Sequence, residues 1–167
     1  MRGREIPAAA VLVAAVAAAA TFLGAGRGHA VAVRETSLEQ SYAVAINEAR
    51  AANGLGPLTV EAALVVASRR QSERLRSTDT FAHGARWWRR LVEAGASGRV
   101  VGENLGWCAR SLCAGGTPAT LVRMWLASPE HRTNMLDPRF DHIGVGIAFG
   151  AFKGYPHAYV VTTDFDG

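Results

Sequence analysis

Residues 143–165, IGVGIAFGAFKGYPHAYVVTTDF, decide the fold class of this chain of 167 residues. The first part alternates glycine or alanine with branched and aromatic residues, and a similar alternation returns after the turn residues 153–156. A period of two places successive side chains on opposite faces of a strand. This stretch therefore predicts a β-hairpin at the end of the chain.

The chain before this hairpin has the spacing of helices, with a glycine-rich loop or the lead-in to a strand at 95–102. Proline at a first helical position and paired capping residues mark where helices begin. Helix starts are predicted at Ser37 with Gln40 as a capping box, at Thr59, at Arg86, at Thr117-Pro118 and at Ser128-Pro129. Helices followed by a β pair predict an α+β domain with helices packed on an antiparallel sheet.

The first 32 residues have the layout of a secretory signal peptide. Two arginines precede an apolar run from Ile6 to Gly26, and residues 28–32 offer small-x-small cleavage sites. We expect cleavage and export, with an uncleaved membrane anchor as the alternative because the run is long enough to span a bilayer. After cleavage no membrane span is expected, and residues 36–166 form one domain.

The charge balance argues against a nucleic-acid partner. Removing residues 1–32 removes three of the eighteen basic residues and one of the fourteen acidic ones, so the formal net charge falls from +4 to +2. The remaining arginines are scattered, and only Arg69-Arg70 and Arg89-Arg90 are adjacent. Nucleic-acid binding requires a clustered basic face, so no such partner is expected.

The two cysteines of the chain, Cys108 and Cys113, are separated by four intervening residues in a segment rich in small residues. In an exported protein such a pair predicts a local disulfide. The chain-entropy gain for so short a loop is roughly 2 kcal/mol, so the bond pins a loop and does not make the domain fold. A zinc site on these two residues alone is not expected, because structural zinc takes four ligands.

Residues 128–131, SPEH, raise the question of a functional histidine. Ser128 as N-cap, Pro129 in the first turn and Glu130 at the positive end of the helix dipole are typical of any helix start. They do not account for His131, where the dipole favours the neutral imidazole that can bind a metal or accept a proton. A purely structural role is the commoner case for a single histidine of this kind.

Two further candidates are His83 in FAHG, 81–84, and Glu103 in GENLGW, 102–107. Each has a structural explanation, as a loop histidine bonded to backbone and as a loop carboxylate that accepts amide hydrogen bonds. The functional alternative places both side chains in a cleft. Together with His131 they form a stronger signal than any of the three alone.

These motifs resemble the CAP superfamily of cysteine-rich secretory proteins, antigen 5 and pathogenesis-related proteins, in particular its bacterial exported branch. The resemblance covers roughly Leu38 to Phe165 and implies an α-β-α sandwich, with helices flanking a central antiparallel sheet. The matching segments are NGLGPL at 53–58, FAH at 81–83, GENL at 102–105, MWLASPEHRTNML at 124–136 and FDHIGVGIA at 140–148.

The resemblance also implies a central cavity lined by two histidines and two acidic residues. His83, Glu103 and His131 match three of these positions. Ser128 occupies the fourth, where many eukaryotic relatives have a glutamate, and Glu130 lies two residues further on. In such a cavity the two histidines are expected to hold zinc or another divalent cation weakly, because two imidazoles and waters form an open site.

These motifs and candidate residues leave three classes of function open. The preferred one is a secreted, non-catalytic binding module for a lipid, a sterol or a cell-envelope glycan. The second is a metal-assisted hydrolase in which Glu103 is the general base, and the third is an interaction domain whose cleft residues only stabilise the fold. The oligomeric state is not predicted. Tryptophans that can line a ligand groove are Trp87, Trp88 and Trp107, whereas Trp125 is expected in the core.

Overall fold

The computed structural model describes residues 36–96, 98–113 and 118–167, so the predicted signal peptide at 1–32 and the predicted cap at Thr117 lie outside the described residues. Within this part of the chain, no helix combines the length and apolar character needed to cross a membrane. The elements are α1 Ser37–Ala52, β1 Thr59–Val60, α2 Ala62–Ser77, α3 Trp88–Ala94, β2 Val101–Ala109, α4 Pro118–Ala127, α5 Pro129–Met135, β3 His142–Phe152 and β4 Tyr155–Asp166.

The predicted hairpin is confirmed as β3 and β4, the two central strands of a four-stranded sheet with the order β1-β3-β4-β2. Strand β2 pairs antiparallel with β4 and forms one edge. The two-residue strand β1 pairs parallel with β3 at the other edge. The sheet is therefore antiparallel in its three long strands and parallel only at this short addition.

The glycines of IGVGIAFG allow a helix to lie directly on the sheet. A Cβ atom on Gly144 would lie 2.1 Å from the carbonyl carbon of Leu64, and one on Gly146 would lie 2.1 Å from the backbone nitrogen of Arg69. Both neighbours belong to the backbone of α2, so no larger residue fits without moving the helix. The alternation that predicts the strand thus also fixes where α2 packs.

The opposite face of the sheet holds the main hydrophobic core, beneath α1, α4 and α5. With α2 on one face and these three helices on the other, the implied α-β-α sandwich is confirmed. Buried members of this core include Tyr42, Ile46, Leu121, Trp125, Met135, Ile143, Val145, Val161 and Phe165.

The capping box of α1 begins one residue earlier than predicted. Thr36 is the N-cap: its hydroxyl accepts from the backbone amide of Glu39 at 3.3 Å, and Oε2 of Glu39 accepts from the amide of Thr36 at 2.7 Å. The predicted pair Ser37 and Gln40 is wrong. Glu39 is held in this role by an ion pair with Arg69 of α2, at 2.6 Å, a tertiary contact that local sequence does not reveal.

Two further helix starts differ from the prediction. Thr59 does not cap α2; it lies in β1, where its amide donates to the carbonyl of Asp141 at 2.8 Å, and Glu61 occupies the N-cap position. The third helix starts at Trp88 because Arg86 has a φ of +55°, which is outside the helical region.

The end of β2 is closed by the predicted disulfide, which is confirmed between Cys108 and Cys113. The outer edge of β2 is covered by side chains of α4 and α5. Nε1 of Trp125 donates to the carbonyl of Leu105 at 2.9 Å, and Nδ2 of Asn134 donates to the carbonyl of Glu103 at 3.1 Å. These bonds bring α4 and α5 against the strand that carries Glu103.

Candidate functional site

Strand β2 carries Glu103 into the interior, where the residue is only 3% exposed. Both carboxylate oxygens are engaged. Oε1 accepts from Nδ1 of His83 at 2.7 Å, and Oε2 accepts a short hydrogen bond from Nη2 of Arg90. A buried carboxylate needs such partners, because an unpaired charge in the interior is costly.

Arg90, on α3, joins Glu103 to a second buried carboxylate, Asp164 of β4. Its Nη1 lies 2.6 Å from Oδ2 of Asp164, and its Nη2 lies 2.9 Å from Oδ1, which is the bidentate geometry that favours arginine. The hydroxyl of Ser68 donates to the same Oδ2 at 2.8 Å. Burial raises the pKa of Asp164, and Arg90 opposes that effect.

Arg90 and Asp164 are site residues that were not predicted from the sequence. Arg90 stands beside Arg89, and Asp164 belongs to the hairpin stretch, where a carboxylate interrupts an otherwise apolar and threonine-rich strand. A charged residue inside a strand otherwise predicted to be buried is the signal that could have found Asp164, because such a residue requires a partner.

His83 lies in the loop between α2 and α3, and its side chain is 47% exposed. The hydrogen bond to Glu103 is the main reason that the pKa of His83 is raised above its usual 6.5. With Nδ1 bound to the carboxylate, Nε2 is the ring nitrogen that a ligand would meet.

His131 lies in the first turn of α5, and its ring is held by Ser128. Nδ1 of His131 is hydrogen-bonded to Oγ of Ser128 at 2.8 Å. The prediction that this hydroxyl caps the helix is wrong: Ser128 occupies the N-cap position, but its side chain makes no capping bond. The backbone carbonyl of His131 accepts from Nδ2 of Asn104, the neighbour of Glu103 on β2, at 3.0 Å.

The pKa values of the two histidines are shifted in opposite directions. Burial lowers the pKa of His131, and the charge of His83 lowers it further. Glu130, which could in principle replace the missing acid at Ser128, is exposed. Its charge acts on the His83 ring more weakly than Glu103 does, and on the His131 ring more weakly than burial and His83 do.

A groove runs between α4 and the outer edge of β2, and we call it the α4–β2 groove. It encloses about 260 Å³. Most of its wall is apolar, and Ser128 and His131 form its polar part. Trp107 lines it as predicted; Trp125 is buried as predicted and also contributes to the wall. The lining residues are Phe81, Leu105, Gly106, Trp107, Leu121, Met124, Trp125, Ser128 and His131.

A second recess, of about 480 Å³, is lined by His83 and by residues of α3. It is rich in arginine, whereas the wall of the α4–β2 groove is mostly apolar. Trp87 lines this recess, whereas Trp88 is an exposed side chain that lines neither. The lining residues are Gln71, Arg74, His83, Gly84, Ala85, Arg86, Trp87, Arg89, Arg90 and Glu93.

His83 and His131 supply two imidazole ligands, which fit a weak metal site but not a four-ligand structural one. Each ring has Nδ1 bound to a side-chain oxygen, an arrangement that orients Nε2 towards a metal. Glu103 is not expected to add a third ligand, because its buried charge is already neutralised by the guanidinium of Arg90. Two imidazoles would hold an ion whose remaining positions are water.

This chain is similar to known proteins in sequence and in structure. The family model for the cysteine-rich secretory protein family, CAP, matches residues 44–165. The uncharacterized protein YkwD of Bacillus subtilis is 31% identical over 104 residues, which cover 60% of this chain and 38% of that protein. This chain therefore spans well under half of the length of that relative.

Solved structures share the fold at low identity. An extracellular protein of Bacillus anthracis that contains an SCP domain superposes with a TM-score of 0.63 at 20% identity, over 77% of this chain and 39% of that one. An outer surface protein of Borrelia burgdorferi gives a TM-score of 0.58 at 20% identity, over 75% of this chain and 90% of that one.

Proposed function

Since this chain belongs to the cysteine-rich secretory protein family, CAP, we propose that it is an exported binding module whose α4–β2 groove takes the apolar part of an amphipathic lipid. Export is supported by the layout of residues 1–32. It is also supported by relatives that are an extracellular protein and an outer surface protein. Amino-terminal sequencing of the secreted protein tests it: a start near residue 31 or 33 is expected, and a start at Met1 contradicts it.

The observation that carries the proposal is the change from apolar to polar along the groove. Met124 and Phe81 leave apolar surface exposed at its rim, while Ser128 and His131 supply hydrogen-bonding groups. Ligand sites are mostly apolar with a few placed polar groups. A fatty acid or a sterol combines the same two kinds of surface in one molecule.

Hydrolysis is less well supported, because the general base that it requires is already occupied. A general base must accept a proton from water, directly or through one water molecule. Glu103 has one oxygen bound to His83 and the other to Arg90. Its two oxygens therefore hold the loop that carries His83 and the helix that carries Arg90 in place. This structural role favours binding over catalysis.

A divalent cation on Nε2 of His83 and His131 belongs to the proposal as a second component. When bound, it would act as a Lewis acid that attracts an anionic headgroup. Calorimetric titration with ZnCl2 tests it: the wild-type protein should bind one more zinc ion than a His83→Ala, His131→Ala double variant. The same number of bound ions in both proteins would remove the ion from the proposal and leave the proposed lipid binding in the groove unchanged.

Lipid binding is tested by titrating the purified protein with palmitate and following tryptophan fluorescence. Met124→Lys places a charge at the groove rim, and Val44→Lys on α1 is the matched control, since Met124 and Val44 are both 56% exposed. We expect saturable binding by the wild type and by Val44→Lys. Met124→Lys should bind about tenfold more weakly, the effect of losing one side chain's apolar contact.

The same titration contains the outcome that contradicts the proposal. If the wild-type protein shows no saturable response to palmitate or to cholesterol, the groove does not bind this class of ligand. Equal affinities of Met124→Lys and Val44→Lys would place any binding elsewhere on the surface.

A further inference from the structure

Three potential metal ligands other than His83 and His131 meet at the end of the sheet. Glu61 precedes the first turn of α2, His142 is the first residue of β3, and Asp166 is the last residue of β4. One candidate ligand atom from each lies within 4.8 Å of the others. The strand register creates this meeting, because β3 pairs His142 with Asp166 on one side while β1 leads into Glu61 on the other.

We propose that Glu61, His142 and Asp166 form a binding site for a divalent transition-metal ion, independent of the pair His83 and His131. Two carboxylates and one imidazole are a three-ligand set that leaves room for water, as in open zinc sites. The imidazole favours a first-row transition ion over magnesium or calcium. Two ionised carboxylates and a neutral ring would balance the charge of such an ion.

The distances fit donors that share one ion. Nδ1 of His142 lies 2.9 Å from Oδ1 of Asp166. Two ligand atoms at zinc distances of about 2.0–2.2 Å in tetrahedral geometry lie about 3.4 Å apart, so the two atoms would have to separate by about half an ångström. In the metal-free protein the ring N–H donates to the carboxylate, so the ion would take the place of this proton.

One ligand atom in the cluster has no hydrogen bond. Oε2 of Glu61 is buried and lacks a hydrogen-bond partner among the described residues. Asp166 is fully buried, and its Oδ2 accepts from the amide of Gly98 at 3.1 Å. A buried oxygen without a donor is costly, and a bound cation would satisfy it.

The electrostatic surroundings support a cation. Burial raises the pKa of Glu61, and the charge of Asp166 raises it further, while His142 opposes them. The positive end of the α2 dipole lies here too. This dipole is equivalent to about half a positive charge, which is less than the two negative charges of the ionised carboxylates. The cluster would therefore keep a net negative charge that attracts a cation.

Calorimetric titration with ZnCl2 in the His83→Ala, His131→Ala background tests the proposal, because that background removes the other candidate ligands. We expect one zinc ion per chain and a raised Tm. Glu61→Gln keeps the size of the side chain and should weaken binding by at least about tenfold, since it replaces an anionic ligand by a neutral one. Glu48→Gln, at an exposed position on α1, is the matched control and should bind as the background does.

A paramagnetic probe gives an answer that does not depend on the folding of a Glu61 variant. Co2+ added to the same background should shift or broaden the ring signals of His142 before those of His157, which stacks on Phe149 far along β3. The proposal is overturned by the absence of zinc heat, by equal affinities of Glu61→Gln and Glu48→Gln, or by a response of His157 at lower Co2+ concentration than His142.

Discussion

The hydroxyl of Ser128 lies 2.8 Å from Nδ1 of His131 and is hydrogen-bonded to this ring instead of to the amides of the helix that it precedes. The start of α5 therefore orients an imidazole at the polar part of the α4–β2 groove. The side chain at position 128 therefore decides which group meets Nδ1 of His131.

Introducing an acid at position 128 should raise the pKa of His131. Ser128→Glu places a carboxylate beside the ring, and an adjacent anion stabilises imidazolium. Ser128→Gln, which has nearly the same shape without the charge, should leave the pKa of His131 below its usual 6.5, where burial and His83 hold it. Titration of the His131 Hε1 signal by NMR measures both variants, and an unchanged pKa in Ser128→Glu would contradict the arrangement.

His83 and His131 should make opposite contributions to the pH dependence of stability. The pKa of His83 is raised in the folded state, mainly by Glu103, so its contribution is complete below the unfolded value of about 6.5 and is lost as pH rises through the folded value. The pKa of His131 is lowered, mainly by burial. Its contribution is complete above about pH 6.5 and is lost as pH falls below that value.

Urea unfolding between about pH 5 and pH 8 measures both effects through the linkage between pKa and stability. The advantage of wild type over His83→Gln should shrink as pH rises, and its advantage over His131→Gln should shrink as pH falls. The half-exposed ring of His83 limits the size of its effect, because solvent screens its charge. Parallel pH profiles for the two variants would show that the shifts are not opposite.

Removing Arg90 should destabilise the domain strongly, because it leaves Glu103 and Asp164 buried without their shared cation. Arg90→Met should cost about 3 kcal/mol in the free energy of unfolding. Asp164→Asn in the same chain should recover part of that loss by removing one of the stranded charges. Arg89→Met, at the exposed neighbouring position, should change stability by less than about 0.5 kcal/mol. Urea denaturation compares the variants, and a similar loss for Arg89→Met would contradict the assignment.

The close approach of α2 to β3 predicts a large effect of a single methyl group. Gly146→Ala places Cβ against the backbone of α2 and should cost about 3 kcal/mol or prevent folding. Gly56→Ala is the matched control, because open space surrounds its Cβ position. It should be neutral or stabilise by about 0.5 kcal/mol through the unfolded state. Thermal unfolding followed by circular dichroism separates the two, and a fully stable Gly146→Ala protein would contradict this packing.

Opening the disulfide should weaken the domain without unfolding it. The bond closes a loop of only a few residues between Cys108 and Cys113, so the chain-entropy contribution is roughly 2 kcal/mol. Unfolding in urea with and without a reducing agent measures this difference. Complete unfolding on reduction would show that the bond does more than hold the end of β2.

The parts of the fold that were predictable are those with a strong local period. The alternation around Gly144 and Gly146 predicts the hairpin correctly, and the same glycines explain the packing of α2. The capping residue of α1 was not predictable, because Thr36 with Glu39 and Ser37 with Gln40 satisfy the same local rule. The ion pair of Glu39 with Arg69 decides between them, and it joins residues that are distant in sequence.

The residues of the candidate site also fall into those that the sequence predicts and those that it does not. His83, Glu103 and His131 stand in motifs that sequence comparison can match, and their function stays a prediction. Arg90 neutralises and positions Glu103, and Asp164 shares this arginine; both stand in no such motif and meet only because α3 lies over the sheet. The cluster of Glu61, His142 and Asp166 depends on the parallel pairing of the two-residue strand β1, an element too short to leave a period in the sequence.

The side-chain bonds on the outer edge of β2 have a consequence for the behaviour of the protein at high concentration. An unpaired edge strand is a template for sheet extension by another molecule, and this is a common route to aggregation. Here the indole of Trp125 and the amide of Asn134 already occupy the outward carbonyls of Leu105 and Glu103. A strand from a second chain would have to displace both donors, so the contacts that build the groove also make this edge resistant to self-assembly.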